Sequence, residues 1–235
     1  MDRKLRYCFR LSAGQALALQ EELAGRVDTR AALDLSRLHR VAGGDVSCTA
    51  GGDRAYASVT VYSFPSLEPL EVQRGSEPLE FPYIPGLLAF REAPALLRVF
   101  DKVENLPDAL LIDGHGIAHP RGLGIASHMG LLLGIPTVGV AKSVLVGEYE
   151  MPAPARGSRS PLIFRGSVVG WALRTRDGVK PVFVSPGHLV DLDSACRLAL
   201  SCCVRYRLPE PLRAAHRICN EARRGQGLGK LQGAL

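Results

Sequence analysis

The chain has 235 residues, 46% of them apolar and 22% charged, which is enough for a buried core and argues against global disorder. No apolar run approaches the roughly 20 residues that a membrane span requires, and the basic start has no apolar segment of the secretory kind, so a cytoplasmic location is expected. The formal charge of +6 favours a polyanionic partner such as nucleic acid. Six cysteines without CxxC spacing read as reduced thiols and not as a zinc or disulfide framework.

In chain order, residues 11–30 carry apolar positions at helical spacing, with Ser12 as the N-cap. Residues 41–48 (VAGGDVSC), 55–62 and 67–73 then read as an antiparallel meander whose first strand carries Asp45. In residues 80–86 (EFPYIPG) two prolines stiffen the backbone around Tyr83 and Ile84, making the segment a plug in the core or a wedge into a partner. A helix follows to about residue 104, with Glu92 in its early turns and Pro94 marking where regular helix is expected to begin.

Residues 108–142 then form a strand ending at Asp113, a loop rich in Gly and His, a helix over 123–133, and a strand delivering Lys142. This is a βαβ unit with its polar residues at one edge, where open α/β sheets place their ligands. Beyond it, residues 151–161 have exposed-loop composition, and 167–174 with 179–184 form a hairpin. Residues 185–188 are expected to be a loop, 192–204 a helix, and a last helix carries His216 before a mobile tail from 223. His128, Trp171 and Phe183 are expected to pack, and neither a repeat nor a second-domain linker is visible in residues 1–235.

Asp45, Glu92 and Asp113 are the acids that need a common location. If the meander and the βαβ unit share a sheet, Asp45 and Asp113 lie on neighbouring strands. Clustered carboxylates repel unless a divalent cation sits among them. Oxygen ligands select hard ions, Mg²⁺ or Mn²⁺. Such a cation on a basic protein points to phosphoryl transfer, with Lys142 and His119 in reach of the water or leaving oxygen.

Four stretches, VAGGDVS around Asp45, FPYIPGLLAFRE ending at Glu92, DGHGIAHPR from Asp113 and PTVGVAK ending at Lys142, resemble the motifs of the endonuclease V family. The resemblance implies an α/β, ribonuclease H-like fold: a mixed five-stranded sheet, its first three strands antiparallel, with helices on both faces. It implies a monomeric nuclease that hydrolyses the second phosphodiester bond 3′ to deoxyinosine in DNA; inosine-containing RNA is the alternative substrate. Asp45, Asp113 and Glu92 match its metal-binding and catalytic acids, Lys142 its lysine near the scissile phosphate, and His119 and His216 its histidines near the site. Pro82, Tyr83, Ile84 and Pro85 match the wedge that fills the space a displaced base leaves. Gly86, Leu88, Gly114, His115, Gly116 and Gly124 would form the base pocket. Backbone amides around Gly114 and Gly116 would donate to the hypoxanthine oxygen, and His115 would make recognition pH-sensitive.

Overall fold

The computed structural model describes residues 11–51 and 53–225. Its strands are β1 (Arg40–Cys48), β2 (Arg54–Ser63), β3 (Pro69–Pro78), β4 (Ala109–Ile112), β5 (Thr137–Ala141), β6 (Arg159–Phe164), β7 (Ser167–Leu173) and β8 (Val182–His188). The helices are α1 (Ala13–Ala24), α2 (Leu88–Phe100), α3 (Ile125–Leu133), α4 (Leu192–Ser201) and α5 (Glu210–Arg223). All strands join one sheet in the order β3-β2-β1-β4-β5-β8-β7-β6. β1, β2 and β3 pair antiparallel, while β4 runs parallel to both β1 and β5. The expected five-stranded ribonuclease H-like arrangement is therefore present, and β8, β7 and β6 extend it to eight strands.

Alternation along the strands sorts the core into two layers. Ala42, Ala57, Val59, Val61, Leu110 and Ile112 pack under α2 and α3, while Val41, Leu111, Val138, Val140 and Val184 pack with α4 and Leu212 of α5. Burying each such aliphatic side chain contributes roughly 1.5–3 kcal/mol against the entropy of ordering the chain. Within β1 the same alternation turns Gly43 and Asp45 toward α5 and Gly44 toward α2. A Cβ at Gly43 would lie 2.3 Å from the Pro211 carbonyl carbon, so glycine lets the start of α5 rest on the strand. Hydrogen bonds from Ser58 Oγ to the Ala215 carbonyl (2.9 Å) and from Thr60 Oγ1 to that of Pro211 (2.8 Å) fix the helix there.

Several expectations are corrected. α2 starts at Leu88 and runs through Pro94. It forgoes the bond a residue there would donate to Phe90, because Phe90, Ala93, Leu96 and Leu97 keep one buried face across the proline. The expected loop over 151–161 gives way at Arg159 to β6, an edge strand without clean apolar alternation. Residues 185–188 belong to β8, where Pro186 is tolerated because the β7 pairing has ended at Val184. The first helix is shorter than 11–30, although Ser12 does cap it in a capping box with Gln15. The tail expected from 223 lies almost wholly outside the described residues, α5 ending at Arg223. His128 is buried against Phe90 (ring centroids 5.0 Å apart), and Phe183 is buried, but Trp171 is only partly so, under the Arg159 guanidinium. Among the described residues no helix is long and apolar enough to cross a membrane, and Cys48, Cys196, Cys202, Cys203 and Cys219 are free thiols.

Candidate active site

Asp45 lies near the end of β1, and Asp113 follows β4, the parallel neighbour of β1. The Asp113 amide donates to the Gly44 carbonyl (3.1 Å), which brings the two carboxylates side by side. α5 supplies the third group. His216 Nδ1 is 2.8 Å from Asp45 Oδ2 and 3.6 Å from Asp113 Oδ2. Ligand atoms of Asp45, Asp113 and His216 all lie within 4.8 Å of one another, a spacing that could hold a metal ion. Lys142, one residue beyond β5, pairs with Asp113 from the other side.

Glu92 enters from α2 and is half-buried. Burial first, and then the charges of Asp45 and Asp113, push its carboxyl up to about 8. The same two causes, burial and Asp45, raise Asp113, opposed by its bond to Lys142. Carboxylates forced to compete for protons in this way are the electrostatic signature of a site that a cation would relieve. The sequence reading placed three acids around the metal. Among the described residues the ligand atoms that lie within 4.8 Å of one another are those of two carboxylates and an imidazole, with Glu92 adjoining them.

Beside this cluster lies a cavity of about 170 Å³, lined among others by Tyr83, Gly86, Leu88, Gly114, His115 and Gly124. That is below the ~300 Å³ at which drug-sized sites begin, so it suits one flat base and not a whole nucleotide. Tyr83 stands 68% exposed at its mouth, whereas Phe81 is buried and Ile84 packs with it against Leu87 and Phe90. The segment is therefore both alternatives at once, with Phe81 and Ile84 seated in the core and Tyr83 left projecting.

The base of this projection is held firmly. Gly86 has φ +79°, and its carbonyl accepts from Gln20 Nε2 (2.9 Å) and from an Arg121 guanidinium nitrogen (2.7 Å). His119 stands in the pocket wall and not among the carboxylates. Its Nδ1 accepts from the Arg121 amide (3.2 Å), and burial, helped by the Arg121 charge, depresses it to about 4. Burial likewise depresses His115 to about 4, so the pH sensitivity expected of it falls well below neutrality. Gly116 does not line the cavity, because its amide donates to Ser185 Oγ (2.8 Å). The carbonyls of His115 and Gly116 accept from the amides of Ala126 and Gly124, capping the start of α3.

Comparison with known proteins bears on this arrangement directly. The endonuclease V family model matches residues 21–217. The chain belongs to the endonuclease V family. The endonuclease V of Trichormus variabilis is 48% identical over 210 residues, covering 89% of this chain and 95% of that protein. The crystal structure of endonuclease V from Streptomyces avermitilis superposes with a TM-score of 0.88 at 41% identity, covering 93% of this chain and 96% of the other. Endonuclease V from Ciona intestinalis, solved with a 23mer DNA containing an inosine followed by a ribo-adenosine, gives a TM-score of 0.80 at 26% identity over 92% and 99% of the two chains. The chain is thus an endonuclease.

Within this endonuclease V site the sequence reading missed two side chains. Gln20 of α1 is wholly buried and also donates to the Leu123 carbonyl (2.9 Å), so it ties the turn at Gly86 to the loop before α3. Asn220, one turn after His216, donates to His216 Nε2 (3.1 Å) and to its carbonyl (2.9 Å). With Nε2 accepting, Nδ1 carries the proton and donates to Asp45. The signal for Asn220 was available, since residues four apart share a helix face. No local pattern marks Gln20, which lies 103 positions from Leu123.

Proposed function

We propose that this endonuclease recognises deoxyinosine, the product of adenine deamination, in DNA. It hydrolyses the second phosphodiester bond on the 3′ side, leaving 3′-hydroxyl and 5′-phosphate ends, as an early step of DNA repair. Mg²⁺ is the proposed cation, with Mn²⁺ as a substitute. The observation that carries the reading is the adjacency of the Asp45–Asp113–His216 cluster to a base-sized cavity with an exposed tyrosine at its mouth.

Asp45 and Asp113 would hold the cation, with Glu92 entering through its own oxygen or a bound water, while His216 keeps its Nδ1 proton on Asp45 and orients that carboxylate. The carboxylate set fits Mg²⁺ and leaves it open to Mn²⁺. When bound, such a cation offsets the charge that develops on the phosphoryl oxygens and makes its bound water easier to deprotonate. Lys142 then acts as a fixed positive charge toward a non-bridging oxygen, and the Asp113 bond holds its ammonium in place. Glu92, pushed up to about 8 without the cation, would release its proton as the cation binds. Asn220 sets the tilt of the His216 ring.

Tyr83 enters the stack where the base leaves it, and the displaced base enters the cavity. Unstacking costs a few kcal/mol and least for a poorly paired base, which supplies part of the selectivity. Leu88 and Ala89 line the cavity at the start of α2, which has no side-chain cap. Amides at an uncapped helix start suit an oxygen acceptor, which hypoxanthine carries where adenine carries an amino group.

The test is a nicking assay with Mg²⁺ on a duplex bearing one deoxyinosine. A single cut at the second bond on the 3′ side is expected, lost in both Asp45→Ala and Asp113→Ala. Cutting of only the corresponding inosine-containing RNA would replace DNA by RNA as the substrate.

A further inference from the structure

A second concavity of about 480 Å³ opens where the end of α5 overhangs β2 and β3, lined by Arg54, Tyr56, Arg74, Ser76 and Arg223 among others, with no carboxylate among the described residues of its wall. Neighbouring acids have other partners: Glu77 meets Arg98 (3.5 Å) on the opposite face, Glu221 meets Arg217 (3.2 Å), and Asp53 accepts from the Thr49 hydroxyl. We infer that this groove binds backbone phosphates of the cleaved DNA strand on the 3′ side of the cut, an inference that rests on the function proposed above.

Register places the groove on the same sheet face as the catalytic cluster. Asp45 pairs with Ser58, and Ser58 with Arg74, so the three form one row across β1, β2 and β3. Ser47, Tyr56 and Ser76 form the next row toward the strand end. With strands ~4.8 Å apart, Arg74's backbone lies roughly 10 Å from that of Asp45, two strands away in the sheet. The base pocket lies on the other side, around the loop after β4 and the start of α3. A strand that seats its lesion in that pocket and its scissile phosphate at Asp45 and Asp113 therefore leaves on the 3′ side past the C-terminal end of α5, which covers Ser58, toward Arg54 and Arg74. α5 joins the two ends of this path. Arg223 donates to Asn220 Oδ1 (3.2 Å), the amide that also holds His216. Arg54 uses one guanidinium nitrogen on Ser76 Oγ (3.1 Å), and its planar fork has further donors for phosphate oxygens.

The experiment is single-turnover nicking of two inosine duplexes with Mg²⁺, identical in the 5′ arm. One has a full 3′ arm and the other is trimmed to two nucleotides beyond the cut. For the wild type, the enzyme concentration giving half-maximal rate should rise about tenfold on trimming, and the full-arm duplex should show a salt slope steeper by about one to two units. Arg54→Ala combined with Arg223→Ala should be indifferent to trimming, matching the wild type on the short duplex. Arg54→Lys with Arg223→Lys, which keeps the charge, should restore much of the dependence. A wild type indifferent to trimming, or an alanine variant that still distinguishes the duplexes, overturns the groove. Nicking of neither duplex by the wild type overturns the functional reading itself, a separate failure.

Discussion

At the scale of single residues, Gln20 is wholly buried and acts on the pocket through its bonds alone. Its amide nitrogen serves the carbonyls of Gly86 and Leu123, and its oxygen accepts from Arg121 Nε. The turn at Gly86 and the loop before α3 are thus tied together, which on the proposed function keeps Tyr83 and the base pocket in register. Gln20→Leu leaves the Leu123 carbonyl without this partner, and an unsatisfied buried group costs about 1–3 kcal/mol. At 2–4 °C per kcal/mol for a chain of this size, the melting temperature should fall by roughly 2–12 °C. Lesion discrimination, measured as the ratio of nicking rates on inosine and undamaged duplexes, should drop further than in Leu19→Ala, a helix neighbour that lacks these bonds. Equal discrimination in both variants would make Gln20 merely structural.

At the scale of elements, the decisive contact is α5 on β1. The helix carries His216 to Asp45, and it can approach only because Gly43 has no side chain. In Gly43→Ala the new methyl meets the Pro211 and Leu212 backbone, at 2.3–2.5 Å, and backbone cannot swing aside. Overpacking of this kind costs about 1–3 kcal/mol. The expected result is weaker metal binding by calorimetry, with both aspartates still present. Unchanged affinity would show that α5 does not position the site. This element also marks what could be read from sequence. Asp45, Asp113 and Lys142 lie at strand ends inside compact motifs, so local pattern placed them. The pairing of His216 with Asp45 spans 171 positions and had only the family resemblance behind it. His119 has a motif too, but its ring stands in the pocket wall, because burial and the Arg121 amide decide that orientation and no spacing encodes it. β6 and the Pro186 end of β8 escaped because edge strands and strand ends need no alternating apolar residues.

For the whole molecule, the acidic centre sets stability against function. Glu92 is raised from 4.5 to about 8 and Asp113 is also raised, so between those pH values the folded metal-free chain binds more protons than the unfolded one. Stability then falls as pH rises through that window, the reverse of the usual carboxylate pattern. The melting temperature of the metal-free protein should decline from pH 5 to pH 8.5, and Glu92→Gln should flatten the decline. Mg²⁺ at about 100 times its dissociation constant adds ~2.7 kcal/mol, or roughly 5–11 °C. The Mg²⁺ midpoint should fall on going from pH 6 to pH 8, since fewer protons must be displaced. Asp45→Asn removes one of the repelling charges from beside both groups. It should raise the metal-free melting temperature at pH 8, abolish the response to Mg²⁺, and lose nicking. A variant less stable than the wild type at pH 8 without metal would mean that Asp45 is held by His216 more strongly than it is opposed by Glu92 and Asp113.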